Sequence, residues 1–255
     1  MILKILNIAV CIFLLSVVCA AQENATSLDK MGSKLYSSKN YSEALEYFNK
    51  SINLDSNNTD TWIHKGNAEK ALKNYNTSIE SYNKAIKLNS SKAAAFTGLT
   101  DVYMIRKDYA NALAAVKKAN ELDPKNKGNW VREGQLLQLQ GELREAVTEF
   151  DKALTLDPKY RDALYRKGLS LMASGNNSEA VNLFDQTLAV DPKYKQAYNA
   201  KGLALEAEGM YPEALQEYEN ALKIDQAYSQ ALNNKMHVLL ALKKQDEAIK
   251  IYVKI

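Results

Sequence analysis

Histidine is the side chain best suited to acid–base or metal chemistry near neutral pH, and this chain contains two, His64 and His237. Neither belongs to an HExxH run, and the sequence has no glycine-rich phosphate loop and no serine in a nucleophile elbow. The repeats described below predict an elongated stack that separates the two histidines by five repeats, too far to share a metal ion. The sequence therefore predicts no catalytic residue, no metal site and no cofactor, and both histidines are interpreted as surface or groove side chains.

The two cysteines, Cys11 and Cys19, lie in an N-terminal segment with the features of an export signal. Lys4 supplies a positive start, and an apolar run ends in small residues that suit cleavage near Ala21. The run is short compared with the ~20 apolar residues of a transmembrane helix. We therefore interpret residues 1–21 as a signal peptide, which predicts a secreted or cell-surface protein whose mature chain has no thiol. An uncleaved leader that anchors the chain in a membrane is the alternative.

The formal charge of +3 is the difference between 33 basic and 30 acidic residues, and the two signs are interspersed along the chain. Such mixing gives no single-sign patch of the kind that binds nucleic acid or anionic lipid. We expect no nucleic-acid partner and no membrane contact other than through the leader. A hydrophobic content of 46% is enough for a core that does without disulfides.

Seven Asn-x-Ser/Thr sequons exceed the number that the abundance of these residues predicts. On an exported chain they predict N-linked glycosylation, and an Asn- and Ser-rich turn composition is the alternative source of the excess. The candidate glycosylation sites are Asn24, Asn40, Asn49, Asn57, Asn76, Asn89 and Asn176.

The sequence repeats with a period of 34 residues and without insertions. Frames begin at residues 25, 59, 93, 127, 161, 195 and 229, and the seventh frame stops at Ile255. Positions 8 and 20 of the frame are mostly small and position 24 is bulky, as interdigitating helices require. Position 8 reads Gly32, Gly66, Thr100, Gly134, Gly168, Gly202 and Met236; position 24 reads Phe48, Tyr82, Val116, Phe150, Phe184, Tyr218 and Tyr252.

Each frame closes with an apolar residue and Asp or Asn, and three frames add a proline, as in Leu156-Asp157-Pro158. This order predicts an Asp that caps the next helix and a proline in the first turn of that helix. Three glycines at position 15, Gly141, Gly175 and Gly209, are typical of the turn between the two helices of a frame. The tyrosines that recur at positions 17 and 24 are predicted to be core residues.

This combination of small, bulky and Asp-Pro positions resembles the tetratricopeptide repeat family over residues 25–255. The resemblance implies an all-α fold, a right-handed superhelical solenoid of paired antiparallel helices with about seven repeats, the last one incomplete. The repeat domain is expected to cover residues 22–255. Thr100 and Met236 depart from the usual glycine, and position 7 is often charged where the family prefers leucine. We interpret both departures as local changes that leave the fold intact.

The resemblance also implies protein binding, because the first helices of such repeats line a concave groove that accepts a peptide or a helix. The lining positions late in the chain are rich in amides, which can donate to and accept from a peptide backbone. The alternative is that these amides are ordinary solvated residues. The candidate partner-binding residues are Asn67, Arg132, Tyr165, Arg166, Gln196, Asn199, Gln230 and Asn233.

The sequence thus favours an extracytoplasmic scaffold, not an enzyme, whose groove binds a protein or peptide partner. A structural or self-assembling cell-surface repeat protein is the alternative. The incomplete seventh frame leaves Ile249, Tyr252 and Val253 without a following repeat. This end predicts homo-oligomer formation, docking of a partner helix, or a chain truncated before its natural cap.

Overall fold

A computed structural model describes residues 24–252, so the predicted signal peptide and residues 253–255 lie outside the described residues. Between residues 24 and 252 the chain forms fourteen α-helices and no strand, which confirms the all-α class. No helix in this range is long and apolar enough to span a bilayer. The helices are α1 (residues 24–37), α2 (Tyr41–Leu54), α3 (Thr59–Ala71), α4 (Tyr75–Leu88), α5 (Ala93–Ile105), α6 (Tyr109–Leu122), α7 (Lys127–Gln140), α8 (Leu143–Leu156), α9 (Arg161–Ala173), α10 (Asn177–Val190), α11 (Lys195–Ala207), α12 (Tyr211–Ile224), α13 (Ser229–Ala241) and α14 (Gln245–Tyr252).

The helix boundaries follow the 34-residue frame. The first helices of frames two to seven begin at position 1, as at Thr59 and Ser229, and all second helices begin at position 17, as at Tyr41 and Gln245. Only two or three residues connect the two helices of a frame, so the second helix must run back along the first. The predicted pairing of helices is therefore confirmed.

The described part of the chain divides into two compact units, residues 24–124 and residues 125–252, called unit 1 and unit 2 below. Among the described residues, unit 1 contains α1 to α6 and unit 2 contains α7 to α14. Successive helix pairs within a unit share an apolar core. In unit 1 this core includes Tyr82 and Leu99, and in unit 2 it includes Leu164, Phe184 and Ala200.

Five helix pairs close tightly where a glycine at position 8 faces the aromatic ring at position 24. A Cβ placed on Gly168 would lie 2.6 Å from Phe184 Cε1, and a Cβ placed on Gly202 would lie 2.5 Å from Tyr218 Cε1. Both rings are fully buried. Because a side chain on either glycine would collide with a ring that has no room to move, the pattern at position 8 reflects close packing of the two helices.

Frame three keeps this packing with a different pair of residues. Thr100 and Val116 are both fully buried, and Thr100 Oγ1 donates to Phe96 O at 2.9 Å. Valine at position 24 is smaller than the aromatic residues found there in other frames, and it leaves room for the threonine. The departure from glycine at Thr100 is therefore compensated by its neighbour.

The charged residues at position 7 link neighbouring repeats of unit 2. Lys201 Nζ lies 2.6 Å from Asp185 Oδ1 of the preceding repeat and 2.9 Å from Glu217 Oε1 of its own. Burial alone would lower the pKa of Lys201, but hydrogen bonds to the two carboxylates outweigh it and raise the pKa. Equivalent inter-repeat ion pairs join Lys167 to Asp151 and Lys235 to Glu219.

The turn after the first helix places position 15 in the left-handed region of backbone space. Gly141, Gly175 and Gly209 have φ values of 82°, 82° and 77°, which confirms their predicted place in the turn. Four other frames carry a lysine there with φ between 60° and 64°, which the sequence did not indicate. These residues are Lys39, Lys73, Lys107 and Lys243.

The Asp at position 31 does not cap the following helix, so that prediction was wrong. Asp157 is the C-cap of α8, and its Oδ1 accepts from the backbone N–H of Lys159 at 3.0 Å. The next helix, α9, has Tyr160 at its N-cap and no side-chain cap. Pro158 therefore lies in an Asx turn between the two helices and not in the first turn of α9. The Asp157 carboxylate accepts its hydrogen bond within this turn, before α9 begins.

Candidate protein-binding face

Three frames of unit 2 share a motif that joins the start of a first helix to the end of the same frame. In the second of these frames, Arg161 Nη1 donates to Asp191 Oδ2 at 2.8 Å, and Arg161 Cζ lies 4.7 Å from the centroid of the Tyr194 ring. The cation at position 1 thus pairs with the Asp at position 31 and covers the tyrosine at position 34. The other two motifs are Lys127 with Asp157 and Tyr160, and Lys195 with Asp225 and Tyr228.

Hydrogen bonds from these lysines have an electrostatic consequence. The hydrogen bond from Lys127 lowers the pKa of Asp157, and the bond from Lys195 lowers the pKa of Asp225 in the same way. Both carboxylates remain charged well below neutral pH. The cations, and with them the tyrosine rings, are therefore held by charged partners throughout the physiological range.

Tyr165, at position 5 of α9, connects this row of tyrosines to the core. Its ring meets the Tyr194 ring edge-on at a centroid distance of 5.0 Å and lies 5.9 Å from the buried ring of Phe184. Burial, followed by the neighbouring Tyr194, raises the pKa of Tyr165 to about 12. The phenol is neutral at physiological pH and available as a hydrogen-bond donor.

Arg166 follows Tyr165 on α9 and is half-buried. With the Gln135 amide oriented to suit both partners, Gln135 Oε1 accepts from Arg166 Nη2 at 2.6 Å and from Nη1 at 3.1 Å. Burial lowers the pKa of Arg166, whereas the nearby Asp162 raises it. We call Tyr160, Tyr165, Arg166, Tyr194 and Tyr228 the tyrosine face of unit 2.

Comparisons with known proteins agree with this architecture. Tetratricopeptide repeat models match residues 25–58, 94–126, 131–175 and 165–231, and a further TPR repeat model matches residues 66–104. The chain belongs to the tetratricopeptide repeat family. Tetratricopeptide repeat proteins bind protein or peptide partners and are generally non-enzymatic scaffolds. No curated protein sequence matches the chain significantly.

Solved structures show the same fold at low sequence identity. One is YrrB, described as a TPR protein with an unusual peptide-binding site. Its sequence is 23% identical, the alignment covers 74% of this chain and 97% of the YrrB chain, and the TM-score is 0.65. Another is pilF of Pseudomonas aeruginosa, which is 20% identical and has a TM-score of 0.67; the alignment covers 77% of this chain and 89% of the pilF chain. A tetratricopeptide repeat protein from Parabacteroides merdae is 14% identical and has a TM-score of 0.71; the alignment covers 91% of this chain and 92% of that protein.

The structure brings two of the predicted partner-binding residues of this tetratricopeptide repeat chain, Tyr165 and Arg166, into the tyrosine face. Gln230 is exposed beside it, and its Oε1 accepts from Tyr228 Oη at 2.6 Å. Gln196 is half-buried at the start of α11. Arg132 is half-buried on α7 and Asn233 is exposed on α13.

Two of the predicted residues hold neighbouring helices together. Asn199 is only 7% exposed, and its Oδ1 accepts from Asn234 Nδ2 of the next repeat at 2.9 Å. Asn67, in unit 1, accepts from Tyr82 Oη at 2.7 Å. Their side-chain oxygens are therefore engaged in packing contacts between helices.

The first helices of unit 1 carry polar residues that are largely paired with one another. His64 Nδ1 lies 3.0 Å from Asp29 Oδ1, and Lys70 Nζ lies 2.8 Å from Asp101 Oδ2. Lys92 and Asp60 form a further pair at 2.7 Å. Internal pairing makes this surface a poorer candidate for a ligand than the tyrosine face of unit 2.

Sequence reasoning missed Tyr160, Tyr194 and Tyr228. A signal was present, because each tyrosine closes a frame at position 34 and is followed at once by Lys or Arg at position 1, except at Ser229. The contact that matters joins this tyrosine to the cation at the start of its own frame, 33 positions earlier. A pattern of neighbouring residues does not show that pairing.

None of the predicted glycosylation sites belongs to the tyrosine face. Six of the seven asparagines are exposed and Asn89 is half-buried. The sequons at Asn49 and Asn76 differ from the others in their hydroxyl residues, Ser51 and Ser78, which are fully buried. Ser51 Oγ donates to Ala25 O at 2.8 Å, and Ser78 Oγ donates to Gly66 O at 2.7 Å.

Proposed function

We propose that this chain is an extracytoplasmic, non-enzymatic scaffold that binds a peptide or protein partner on the tyrosine face of unit 2. The observation that carries the proposal is the row of half-buried tyrosines, Tyr160, Tyr165, Tyr194 and Tyr228, beside Arg166. Tyrosine and arginine are the residues that most often dominate binding energy at protein interfaces. A tyrosine presents a large apolar ring together with a hydroxyl that can bond to a peptide backbone.

The ordering of the face supports binding, because the rings are fixed before a partner arrives. Arg161 is held by Asp162 and Asp191 and covers Tyr194, while Tyr194 packs against Tyr165. A side chain that is already held loses little conformational entropy on association, so more of the contact energy contributes to affinity.

An extracytoplasmic location is supported by the N-terminal leader and by the number of sequons. None of the seven sequon asparagines belongs to the tyrosine face. We expect the mature protein in the producing cells to begin near Ala21 or Gln22. N-terminal sequencing of the exported fraction tests this part; a cytosolic protein that retains residues 1–21 would overturn it.

Partner capture tests the binding part. The wild-type chain and a Tyr194→Ala, Tyr228→Ala double variant are immobilised and exposed to the envelope fraction of the producing cells. A matched control, Tyr211→Ala, removes a partly exposed tyrosine from the start of α12, a second helix of the same unit. We expect a stoichiometric partner on the wild type and the control and its loss from the double variant, whose helical circular dichroism should show that it is folded at the assay temperature. Equal capture by all three proteins would overturn the proposed face.

Self-assembly is a second candidate function, and exposed apolar residues near the last helix pair favour it. Ile249 on α14 is 59% exposed and Leu240 on α13 is 50% exposed. Light scattering over a concentration series tests the idea with Ile249→Lys, and Ile224→Lys on α12 serves as the control. Association that only Ile249→Lys abolishes supports assembly through this end, and a concentration-independent monomer contradicts it.

A further inference from the structure

Arg166 is a cation that has no acidic partner within residues 24–252. Its guanidinium carries five N–H donors, and the acceptor that it meets there is the single oxygen of Gln135. Asp162 is the acid nearest in sequence, but Asp162 Oδ1 accepts from Arg161 Nε at 3.1 Å and from Arg161 Nη2 at 2.9 Å. Arg166 therefore keeps donors that are directed to no protein acceptor.

The position of Arg166 makes this costly for the free protein. The side chain is half-buried among Tyr160, Tyr165 and Tyr194, and this burial lowers its pKa. Asp162 attracts this cation through space but is bonded to Arg161, so no direct ion pair restores the hydration energy that Arg166 loses on burial. A carboxylate is the group that matches a guanidinium best, because its two oxygens accept two parallel N–H bonds.

The surroundings indicate which carboxylate would reach it. Arg166 lies on α9, which contacts the first helices α7 and α11 of the same unit; Gln135 lies on α7 and Gln196 on α11. An extended segment that crosses these three helices continues past Arg166 in both directions. The group that meets the guanidinium is then a side chain within the segment and not its C-terminus.

Resting on the proposed function, we infer that the tyrosine face binds an acidic peptide segment and that Arg166 forms a bidentate ion pair with an Asp or Glu side chain of that segment. Gln135 holds the guanidinium in place through its oxygen, and Gln138 fixes the backbone behind it by donating to Arg166 O at 3.1 Å and Ser170 Oγ at 2.7 Å. The tyrosine rings exclude water from one side of the pair, which strengthens it.

Peptide display on the whole chain provides the probe. Random peptides long enough to cross three helices are presented in two formats, one that blocks the peptide C-terminus and one that leaves its carboxylate free. We expect enrichment in the blocked format of sequences with Asp or Glu at one fixed position. Enrichment in the free format alone would identify a terminal carboxylate and overturn the side-chain assignment, as would selected peptides without an acid or no selection in either format.

A double-mutant cycle then tests Arg166 itself with one selected peptide. Changing its acid to the amide, or changing Arg166→Gln in the protein, should each weaken binding about tenfold or more, and the two changes together should cost little beyond either one. Arg166→Lys keeps the positive charge but cannot donate two parallel N–H bonds, so its affinity for the peptide should lie between those of the wild type and Arg166→Gln. This variant provides the test if Arg166→Gln does not fold. Arg144→Gln, an exposed arginine on α8, is the control that removes the same charge elsewhere.

The two proposals can fail separately. If Tyr194→Ala, Tyr228→Ala abolishes peptide binding but Arg166→Gln leaves the affinity unchanged, the face binds peptides and the ion pair is wrong. If neither variant changes the affinity of a bound peptide, the face itself is wrong, and the inference about Arg166 fails with it.

Discussion

A Cβ placed on Gly134 would lie 2.5 Å from Cε1 of Phe150, a ring that is fully buried. We expect Gly134→Ala to destabilise the protein by about 1–3 kcal/mol, because the ring cannot move without opening the helix pair. Gly128→Ala is the control in the same helix. Its Cβ would meet Arg132 Nη1 at 3.1 Å, Asn126 Oδ1 at 3.2 Å and Tyr160 Oη at 3.8 Å, which are the ends of side chains and not a buried ring. Urea denaturation of both variants measures the difference, and equal midpoints would contradict the prediction.

Frame three supplies a compensating pair for the same contact. Combining Gly134→Thr with Phe150→Val reproduces the buried arrangement of Thr100 and Val116. We expect the double variant to be less destabilised than the sum of the two single variants, with a coupling energy of about 1 kcal/mol or more. Additive losses would mean that positions 8 and 24 do not determine each other.

The left-handed residue at position 15 predicts a stabilising substitution. Lys73 has φ 64°, a conformation that costs a residue with a Cβ about 1 kcal/mol. Lys73→Gly should therefore raise the free energy of unfolding by up to about 1 kcal/mol, and Gly141→Ala should lower it by a similar amount. A Cβ on Gly141 would meet nothing within 4 Å, so any loss there is conformational and not steric. Denaturation midpoints that move in the opposite directions would refute this explanation.

These residues also show how much of the fold could be read from the sequence. The small and bulky positions recur because each frame repeats the same helix contact, so the period alone located both helices of every pair. The left-handed lysines were missed because a lysine tolerates that conformation at a cost and nothing in its chemistry marks it. Likewise, Asn199 was placed in the groove because its position alone does not show that Asn234 of the next repeat reaches back to it.

The candidate site was predicted less completely than the fold. Tyr165 and Arg166 followed from their frame positions, but the tyrosines at position 34 depend on cations at the far end of the same frame. The Arg166 site depends on an absence, since the nearby Asp162 is already engaged by Arg161. Which charges pair with one another is decided by three-dimensional distances, and a one-dimensional pattern does not contain them.

His64 and Asp29 predict a pH-dependent contribution to the stability of unit 1. The hydrogen bond to Asp29 raises the pKa of His64, and burial opposes it more weakly. Because the folded-state pKa is the higher one, the pair stabilises fully below the unfolded value of about 6.5 and loses this contribution as the pH rises through the folded-state pKa. Asp29→Asn should thus cost more unfolding free energy at about pH 5.5 than at about pH 8.5.

Chemical denaturation of wild type and variant at both pH values measures this difference. His64→Gln removes the titrating group, and in that background Asp29→Asn should have the same effect at both pH values. A cost of Asp29→Asn that is independent of pH in the wild-type background would show that the pair is not charged in the folded state.

The order of folding and glycosylation matters for a sequon whose hydroxyl residue is buried in the folded chain. Transferases that recognise an Asn-x-Ser/Thr sequon require its hydroxyl residue as well as the asparagine. In the folded chain Ser51 is fully buried and donates to Ala25 O, whereas Ser42, in the sequon of Asn40, is exposed. We therefore expect a glycosylating membrane extract to modify Asn40 in the folded, unglycosylated protein and to leave Asn49 largely unmodified. In the export that we propose, a chain that has not yet paired its helices would present Asn49 with an accessible Ser51, and the exposed Asn49 side chain could carry a glycan after folding. Mass spectrometry of peptides treated with glycosidase in heavy water measures occupancy at each asparagine under both conditions. Equal modification of Asn40 and Asn49 in the folded protein would show that α2 opens readily enough to release Ser51, and the buried hydroxyl would not control the modification.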